Sequence, residues 1–299
     1  MKIGFIGVGM MGHGMAKNLV EKGFTTAVLG NRNRTPVEDL IKRGAREAKN
    51  PADAAAGAEI VFLCVPGSPQ VEATVYGPNG LKEALKPGQI VVDCSTSEPD
   101  STARIHADLA GVGIPFVDAP LARTPKEAEA GKLNVMVGAE PDIFARIKPA
   151  LEAFCENIFH VGGPGTGHKT KLINNFFAMG QAALIAEALV AGAKAGIDLN
   201  TFYKIVGVGA PNSGIFQMIV GKILEGDDSG LPFLLRHAQK DVRYYTRMTE
   251  TLGLPSYLGE AVHQAFVQAA ALGLGDHMVG GLVRAQEKLT GVKVGPDRA

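Results

Sequence analysis

The residue types and spacings that could do chemistry fall into five groups along this chain. The first is Gly7-Val8-Gly9-Met10-Met11-Gly12, which follows the apolar residues Ile3, Phe5 and Ile6 and opens a helix-like stretch from about Met10 to Lys22. Gly7 permits a tight turn, Gly9 lets the backbone approach a pyrophosphate, and Gly12 lets the helix pack close on its strand. Phosphates would then meet the positive end of that helix. The spacing alone says little in a chain with 38 glycines. Its context, strand before and helix after with a second apolar run within about 30 residues, makes it a dinucleotide-binding start.

The second group lies at the end of that second run, Asn31-Arg32-Asn33-Arg34, which has two arginines and no acid before Glu38. An acid here selects the ribose 2′-hydroxyl of NAD, whereas an Arg accommodates the 2′-phosphate of NADP. The segment favours NADP, with NAD possible. The third group is a pair of loops after strands, Cys64-Val65-Pro66 and Asp93-Cys94-Ser95-Thr96. Ser95 and Thr96 could bind cofactor ribose or substrate; capping the helix that begins near Pro99 is the simpler reading.

The fourth group is Lys171 with Asn174 and Asn175, three and four residues on and so on the same helical face. A helical Lys is usually solvated. Near a helix N-terminus, however, the dipole disfavours the ammonium and suits the amine to acid and base work. His168 and Lys169 read as ordinary solvent-facing or loop residues. The fifth group, Phe233 to Asp241, ends in Lys240-Asp241, which reads as an exposed ion pair. His237 lacks a metal-ligand partner and there is no HxxxH or CxxC pattern, so no metal is expected.

The elements that must position these groups change in kind along the chain. Short apolar runs recur at Ile3–Ile6, Thr25–Leu29, Ile60–Val65, Ile90–Asp93, Pro115–Asp118, Leu133–Val137 and Ile158–Val161, with helix-like segments between them. That alternation predicts an α/β fold: an N-terminal Rossmann, doubly wound parallel sheet, with later strands extending it, some antiparallel. Beyond Gly167 only helical patterns follow, so an all-α C-terminal domain is expected. The boundaries read as 1–163 for dinucleotide binding and 164–299 for a helical substrate and oligomerisation domain, joined by a long helix from about residue 168. The tail from Gly291 reads as frayed.

Thirty basic and thirty acidic residues cancel, which gives no reason to expect nucleic acid or an anionic membrane as a partner. The start lacks the zones of a signal peptide, and no apolar stretch reads as membrane-spanning, so a cytoplasmic location is expected. Cys64, Cys94 and Cys155 read as reduced buried thiols.

Taken in order, several pieces resemble the β-hydroxyacid dehydrogenase family: the Gly7–Gly12 turn, Asp93-Cys94-Ser95-Thr96, Asp118-Ala119-Pro120, Ala130-Gly131-Lys132-Leu133, Gly165-Thr166-Gly167 with Lys171 and Asn175, and Lys240-Asp241. The resemblance covers nearly the whole chain. It implies that Lys171 is the catalytic acid, that Asn175 holds substrate, and that Val65, Pro66 and Thr96 line the nicotinamide end. It implies further that Phe233 and Lys240 close over the cofactor, and that the chain forms a homodimer or homotetramer. One departure stands out. After Asp118-Ala119-Pro120 the family places a Ser and two glycines on the substrate carboxylate, whereas this chain reads Leu121-Ala122-Arg123-Thr124. This is closer to the Gly-Arg-Thr form of sulfolactaldehyde reductase; Arg123 and Thr124 are expected to bind substrate, Arg123 by clamping a carboxylate or sulfonate. The expected function is NAD(P)-dependent hydride transfer to or from a short anionic 3-hydroxy acid or its semialdehyde. An imine reductase, which usually lacks the Lys, and a non-catalytic NADP-binding scaffold are the rivals.

Overall fold

A computed structural model describes residues 1–295, which divide into two compact units, Met1–Lys171 and the chain from Leu172 onward. The first unit is built on a nine-stranded sheet: β1 (Lys2–Ile6), β2 (Thr25–Leu29), β3 (Arg46–Glu47), β4 (Ile60–Leu63), β5 (Ile90–Asp93), β6 (Phe116–Asp118), β7 (Leu121–Ala122), β8 (Leu133–Gly138) and β9 (Cys155–Gly162). Their order is β3-β2-β1-β4-β5-β6-β8-β7, with β9 paired to β8. Strands β1 to β6 are parallel, and β8 runs antiparallel to β6 and β7. The strand order reverses between β1 and β4, and a doubly wound sheet binds its ligand beyond the carboxyl ends of the strands at such a point.

Continuous apolar runs make the central strands because both faces are covered. In β4, Ile60 and Phe62 enter one core cluster while Val61 and Leu63 enter another. Several helices start with Pro in the first turn, at Pro51, Pro99, Pro125 and Pro141, where its missing N–H leaves no intrahelical bond unmade. The two shortest strands, β3 and β7, were not expected. Two residues carry no period for a sequence pattern to register.

The second unit is helical: the rest of Thr166–Lys194, then Leu199–Val208, Gly214–Leu224, Leu235–Thr251, Tyr257–Ala269 and Gly281–Thr290, with a π-turn at Ala270–Leu274. Its core gathers Met179, Ala182, Ala186 and Leu189 of the long helix with Ile219, Val220 and Phe266. The final helix begins at Gly281, and ahead of it His277 Nδ1 bonds Asp228 Oδ2 at 2.8 Å while its carbonyl accepts from Leu235 N–H. Two expectations need correction. The tail is not loose through residue 295: Val294 is fully buried and its N–H reaches Glu287 Oε1 at 2.6 Å, while positions 296–299 lie outside the described residues. Finally, one apolar stretch does reach membrane-spanning length: Thr166–Lys194 is long and apolar enough to cross a membrane by length and composition. A core helix of a globular unit passes the same test, and seven residues from Met179 to Val190 are packed in that core.

Candidate active site

The Gly-rich turn separates what the fold needs from what a ligand needs. Gly7 has φ +98°, and a Cβ there would stand 2.3 Å from the Cys64 carbonyl oxygen; at Gly12 it would stand 1.9 Å from that of Gly7. Both glycines are required by the packing of the strand and helix itself. Gly9 is different, since a Cβ there would meet nothing within 4 Å. The bare backbone at Gly9 therefore has no use inside the protein, and it suits a bulky group brought from outside. Met10 is exposed and Met11 half-buried beside it. Helix Gly12–Glu21 has neither a side-chain cap nor an acid in its first turn, so its leading amides suit a pyrophosphate. The residues present fit a dinucleotide.

Asn31, Arg32, Asn33 and Arg34 are all exposed at the end of β2. The fold adds an acid that the linear reading did not contain. Because Val28 is in register with Glu47 of β3, the Glu47 carboxylate reaches Arg34 Nη1 at 2.7 Å. This hydrogen bond raises the Arg34 pKa and lowers that of Glu47. A second unforeseen cluster surrounds His13, whose ring nitrogens meet Glu129 at 2.7 Å and Asp39 at 2.9 Å. It ties the Gly-turn helix to Pro125–Glu129, the helix that follows Arg123 and Thr124. Arg43, and then His13, hold the Asp39 carboxyl down at about 2.

Beyond β4 and β5 the two ligand-facing loops are joined: Ser95 Oγ accepts from Val65 N–H at 3.0 Å. The expectation that Ser95 or Thr96 caps the next helix is overturned. That helix, Pro99–Ala110, has Glu98 at its N-cap with no side-chain cap, and Glu98 N–H is met by Ser68 Oγ of the other loop at 2.7 Å. Ser95 is buried, Val65 and Thr96 are half-buried, and Pro66 is exposed. Burial pushes the Cys64 thiol up to about 12 and raises Cys94 and Cys155 as well, which disfavours the reactive thiolate.

The long helix begins at Thr166, two residues earlier than expected, so half-buried Lys171 stands in its second turn. The dipole argument loses most of its force there, because the effect fades beyond the first turn. Asp118 also answers the helix end: its carboxylate accepts from Gly165 N–H and His168 N–H, both at 2.7 Å. Burial pushes the Asp118 carboxyl upward, against the lowering by His168 and these amides. His168 is not solvent-facing. It is fully buried, with Nδ1 2.7 Å from Thr102 Oγ1, Nε2 3.2 Å from the Ser95 carbonyl oxygen and 3.7 Å from Asp93 Oδ2.

In the helical unit, Asn175 is buried and donates Nδ2 to Asp241 Oδ2 at 2.6 Å, while its Oδ1 accepts from exposed Asn174 at 3.2 Å. The Lys240-Asp241 pair is therefore not an exposed one. Asp241 is only 2% exposed, and Lys240 Nζ lies 3.0 Å from its Oδ1 and 4.9 Å from the centre of the Tyr244 ring. Phe233 is half-buried in the same unit, with its ring near His237.

Arg123 takes a form that the sequence did not suggest. Its φ is +80°, a left-handed conformation disfavoured for a residue with a Cβ, and its guanidinium bonds the Lys132 carbonyl at 2.6 Å and the Glu156 carboxylate. Its charge is thus answered within the protein. Thr124 N–H donates to Glu127 Oε2 at 3.0 Å and its hydroxyl bonds the same oxygen, a capping box that starts Pro125–Glu129.

This sheet order, the Gly-rich turn at its reversal point and a Lys-bearing helix beside the strand ends define a nicotinamide-dependent oxidoreductase of the two-unit kind. Residues 2–162 match the family described as the NAD binding domain of 6-phosphogluconate dehydrogenase. Residues 165–285 match the one described as NAD-binding of NADP-dependent 3-hydroxyisobutyrate dehydrogenase. The chain is 33% identical to 2-(hydroxymethyl)glutarate dehydrogenase of Eubacterium barkeri, covering 98% of this chain and 97% of that one. It is 34% identical to 3-sulfolactaldehyde reductase of Escherichia coli over 91% of each. The fold matches Mycobacterium tuberculosis 3-hydroxyisobutyrate dehydrogenase with a TM-score of 0.87, at 23% identity over 95% of this chain and 98% of that one. Imine reductases share only the fold, at 19% identity and a TM-score of 0.61 for the Pseudomonas enzyme, over 95% of this chain and 99% of that one. The chain belongs to the β-hydroxyacid dehydrogenase family, and it is an NAD(P)-dependent oxidoreductase acting on a CH–OH group.

A positioned proton donor is worth about 10²–10⁴-fold in rate. Lys171→Ala is therefore expected to lose turnover by that factor while binding the dinucleotide with its normal Kd. Near-normal kcat in single-turnover and steady-state assays would remove Lys171 from the chemistry.

Proposed function

We propose that this chain is an NADP-preferring oxidoreductase for a short-chain 3-hydroxy acid or its semialdehyde, with a carboxylate or sulfonate at the other end. The observation that carries the reading is Lys171 on a helix turn whose start is bonded to the strand-end loop of Ser95 and Thr96. The dinucleotide supplies or takes the hydride. Lys171 Nζ gives a proton to the developing alkoxide in reduction, and as a neutral amine takes one from the hydroxyl in oxidation. Val65, Pro66 and Thr96 line the nicotinamide end, Ser95, Asn174 and Asn175 orient substrate, and Phe233 and Lys240 bind cofactor. The working location is the cytoplasm.

A screen of glyoxylate, succinic semialdehyde, methylmalonate semialdehyde and 3-sulfolactaldehyde with NADPH and NADH tests the reading. Transfer to none of them overturns the assignment of a short anionic 3-hydroxy acid or its semialdehyde as the substrate.

Arg32 and Arg34 support the preference for NADP, although a 2′-phosphate must take Arg34 from Glu47. NADPH is expected to bind more tightly than NADH, and the double substitution Arg32→Ala/Arg34→Ala to narrow the gap about tenfold or more, since a charge-assisted hydrogen bond is worth ~1.5–3 kcal/mol. Equal dissociation constants in the unmodified protein contradict the assignment.

Arg123 bears on the substrate anion in the same way, because the anion must compete with Glu156 for the guanidinium. Arg123→Ala is expected to raise KM for anionic aldehydes about tenfold, with uncharged aldehydes nearly indifferent. If both classes change equally, Arg123 acts on the loop rather than on the anion.

A homodimer or homotetramer is supported by the outer face of the long helix, where Ile173, Phe177 and Leu184 are 55%, 71% and 68% exposed. At 3.6 residues per turn these three share one stripe, opposite the face that enters the core. Phe177→Asp/Leu184→Asp is expected to lower the mass measured by light scattering; an unchanged mass assigns the interface elsewhere.

A further inference from the structure

His168 is a buried titratable group that the proposed chemistry does not use, and it sits one helical turn before the residue that does the chemistry. Its partners all come from segments that face the ligand or support those that do. The backbone N–H goes to Asp118 at the end of β6 and the ring Nε2 to the carbonyl of Ser95 after β5. The ring Nδ1 meets Thr102 in helix Pro99–Ala110. Ser95 in turn holds Val65, and Asp93 holds Ser95 N–H and Ser97 Oγ, each at 2.9 Å. A single side chain thus ties the turn that leads to Lys171 to both loops after β4 and β5.

The hydrogen-bond inventory defines what the ring must do. The Ser95 carbonyl beside Nε2 can only accept, and Asp93 Oδ2 lies 3.7 Å away, so the hydrogen-bond network assigns a hydrogen to Nε2. Nδ1 faces a hydroxyl, which can donate to a neutral ring or accept from a charged one. In the second case the Thr102 hydrogen turns to the Glu98 carbonyl, 3.1 Å away. The ring is satisfied either way, without water. A buried group with every polar atom matched holds its geometry tightly.

We propose that His168 is a positioning residue that sets the distance between Lys171 and the Ser95–Thr96 loop, acting through its Nε2 hydrogen bond to the Ser95 carbonyl. The assignment rests on Lys171 as the proton donor. Two conservative variants separate the two ends of the ring. In His168→Gln the amide NH₂ takes the place of Nε2 and keeps the Ser95 bond, whereas in His168→Asn it takes the place of Nδ1 and keeps only Thr102. A misplacement of about 1 Å can lower turnover on the order of 10²-fold. With NADPH and the panel aldehyde of highest kcat/KM, His168→Leu and His168→Asn are expected to lower kcat by about 10- to 100-fold while the NADPH Kd changes little, and His168→Gln to recover most of it.

A double-mutant cycle distinguishes failure of this assignment from failure of the Lys171 reading. If His168 acts through Lys171, His168→Leu/Lys171→Ala is no slower than Lys171→Ala alone. Losses that multiply overturn the proposal while leaving Lys171 in place, whereas near-normal turnover of Lys171→Ala overturns the Lys171 reading. A readout independent of turnover is amide hydrogen exchange in residues 93–97 and 166–171, expected to rise together in His168→Leu and His168→Asn and to stay slow in His168→Gln. Equal exchange in all three variants, or kcat falling only as far as each variant's folded fraction, overturns the proposal.

Discussion

Two carboxylates without solvent exposure, Asp93 and Asp118, sit opposite one another at the ends of adjacent parallel strands, and the geometry of the candidate site depends on what they hold. A buried charge is tolerated only when hydrogen bonds replace its lost water, and a carboxylate deprived of them is strongly destabilising. Asp118 meets that demand with two amides from the start of the long helix, and Asp93 with the amide of Ser95 and the hydroxyl of Ser97. Each acid thereby recruits backbone that would otherwise be loose loop. The first turn of the helix and the loop after β5 are held because the carboxylates require them.

His168 joins these two arrangements into one. Its amide lies on Asp118 and its ring on the segment organised by Asp93, so the turn that carries Lys171 is referenced to the strand ends rather than only to its own helix. Rigid elements make precise sites, and a reacting group on a helix fixed at its first turn is better placed than one on a loop. At the dinucleotide end the same economy appears at Gly9. Its neighbours Gly7 and Gly12 are demanded by close backbone contacts, whereas Gly9 faces open space that a pyrophosphate can use.

Charge placement in the loops follows from neighbours that are distant in sequence. Arg34 and Arg123 both read as cations free to meet an anion, and both are engaged by carboxylates from other strands, Glu47 and Glu156. An anion binding at either Arg would have to exchange for that internal partner. His13 shows the same dependence, since its two carboxylates come from residues 26 and 116 positions away.

The order of short apolar runs and helical stretches was enough to define the fold class, a parallel sheet followed by helices, because burial on both faces of a parallel sheet forces continuous apolar runs and a helical bundle forces a 3.6-residue period. Seven of the nine strands, the Gly-rich turn and the Lys171–Asn175 face are local patterns of that kind, legible without coordinates. The rest was not local. Strand β3 is two residues long and brings Glu47 to Arg34 only through its register with β2, and the pairing of Arg123 with Glu156 requires β8 and β9 to lie side by side. Nothing in Gly-Thr-Gly-His-Lys distinguishes a buried histidine from an exposed one. Burial is a property of the surroundings, and for His168 those surroundings are Thr102, Ser95, Asp93 and Asp118, assembled from separate strand ends. Sequence alone picked out candidates for binding a dinucleotide and moving a proton; tertiary structure decided which charges are already taken and what holds the start of the long helix in place, because hydrogen bonds to buried carboxylates form only between segments that folding brings together.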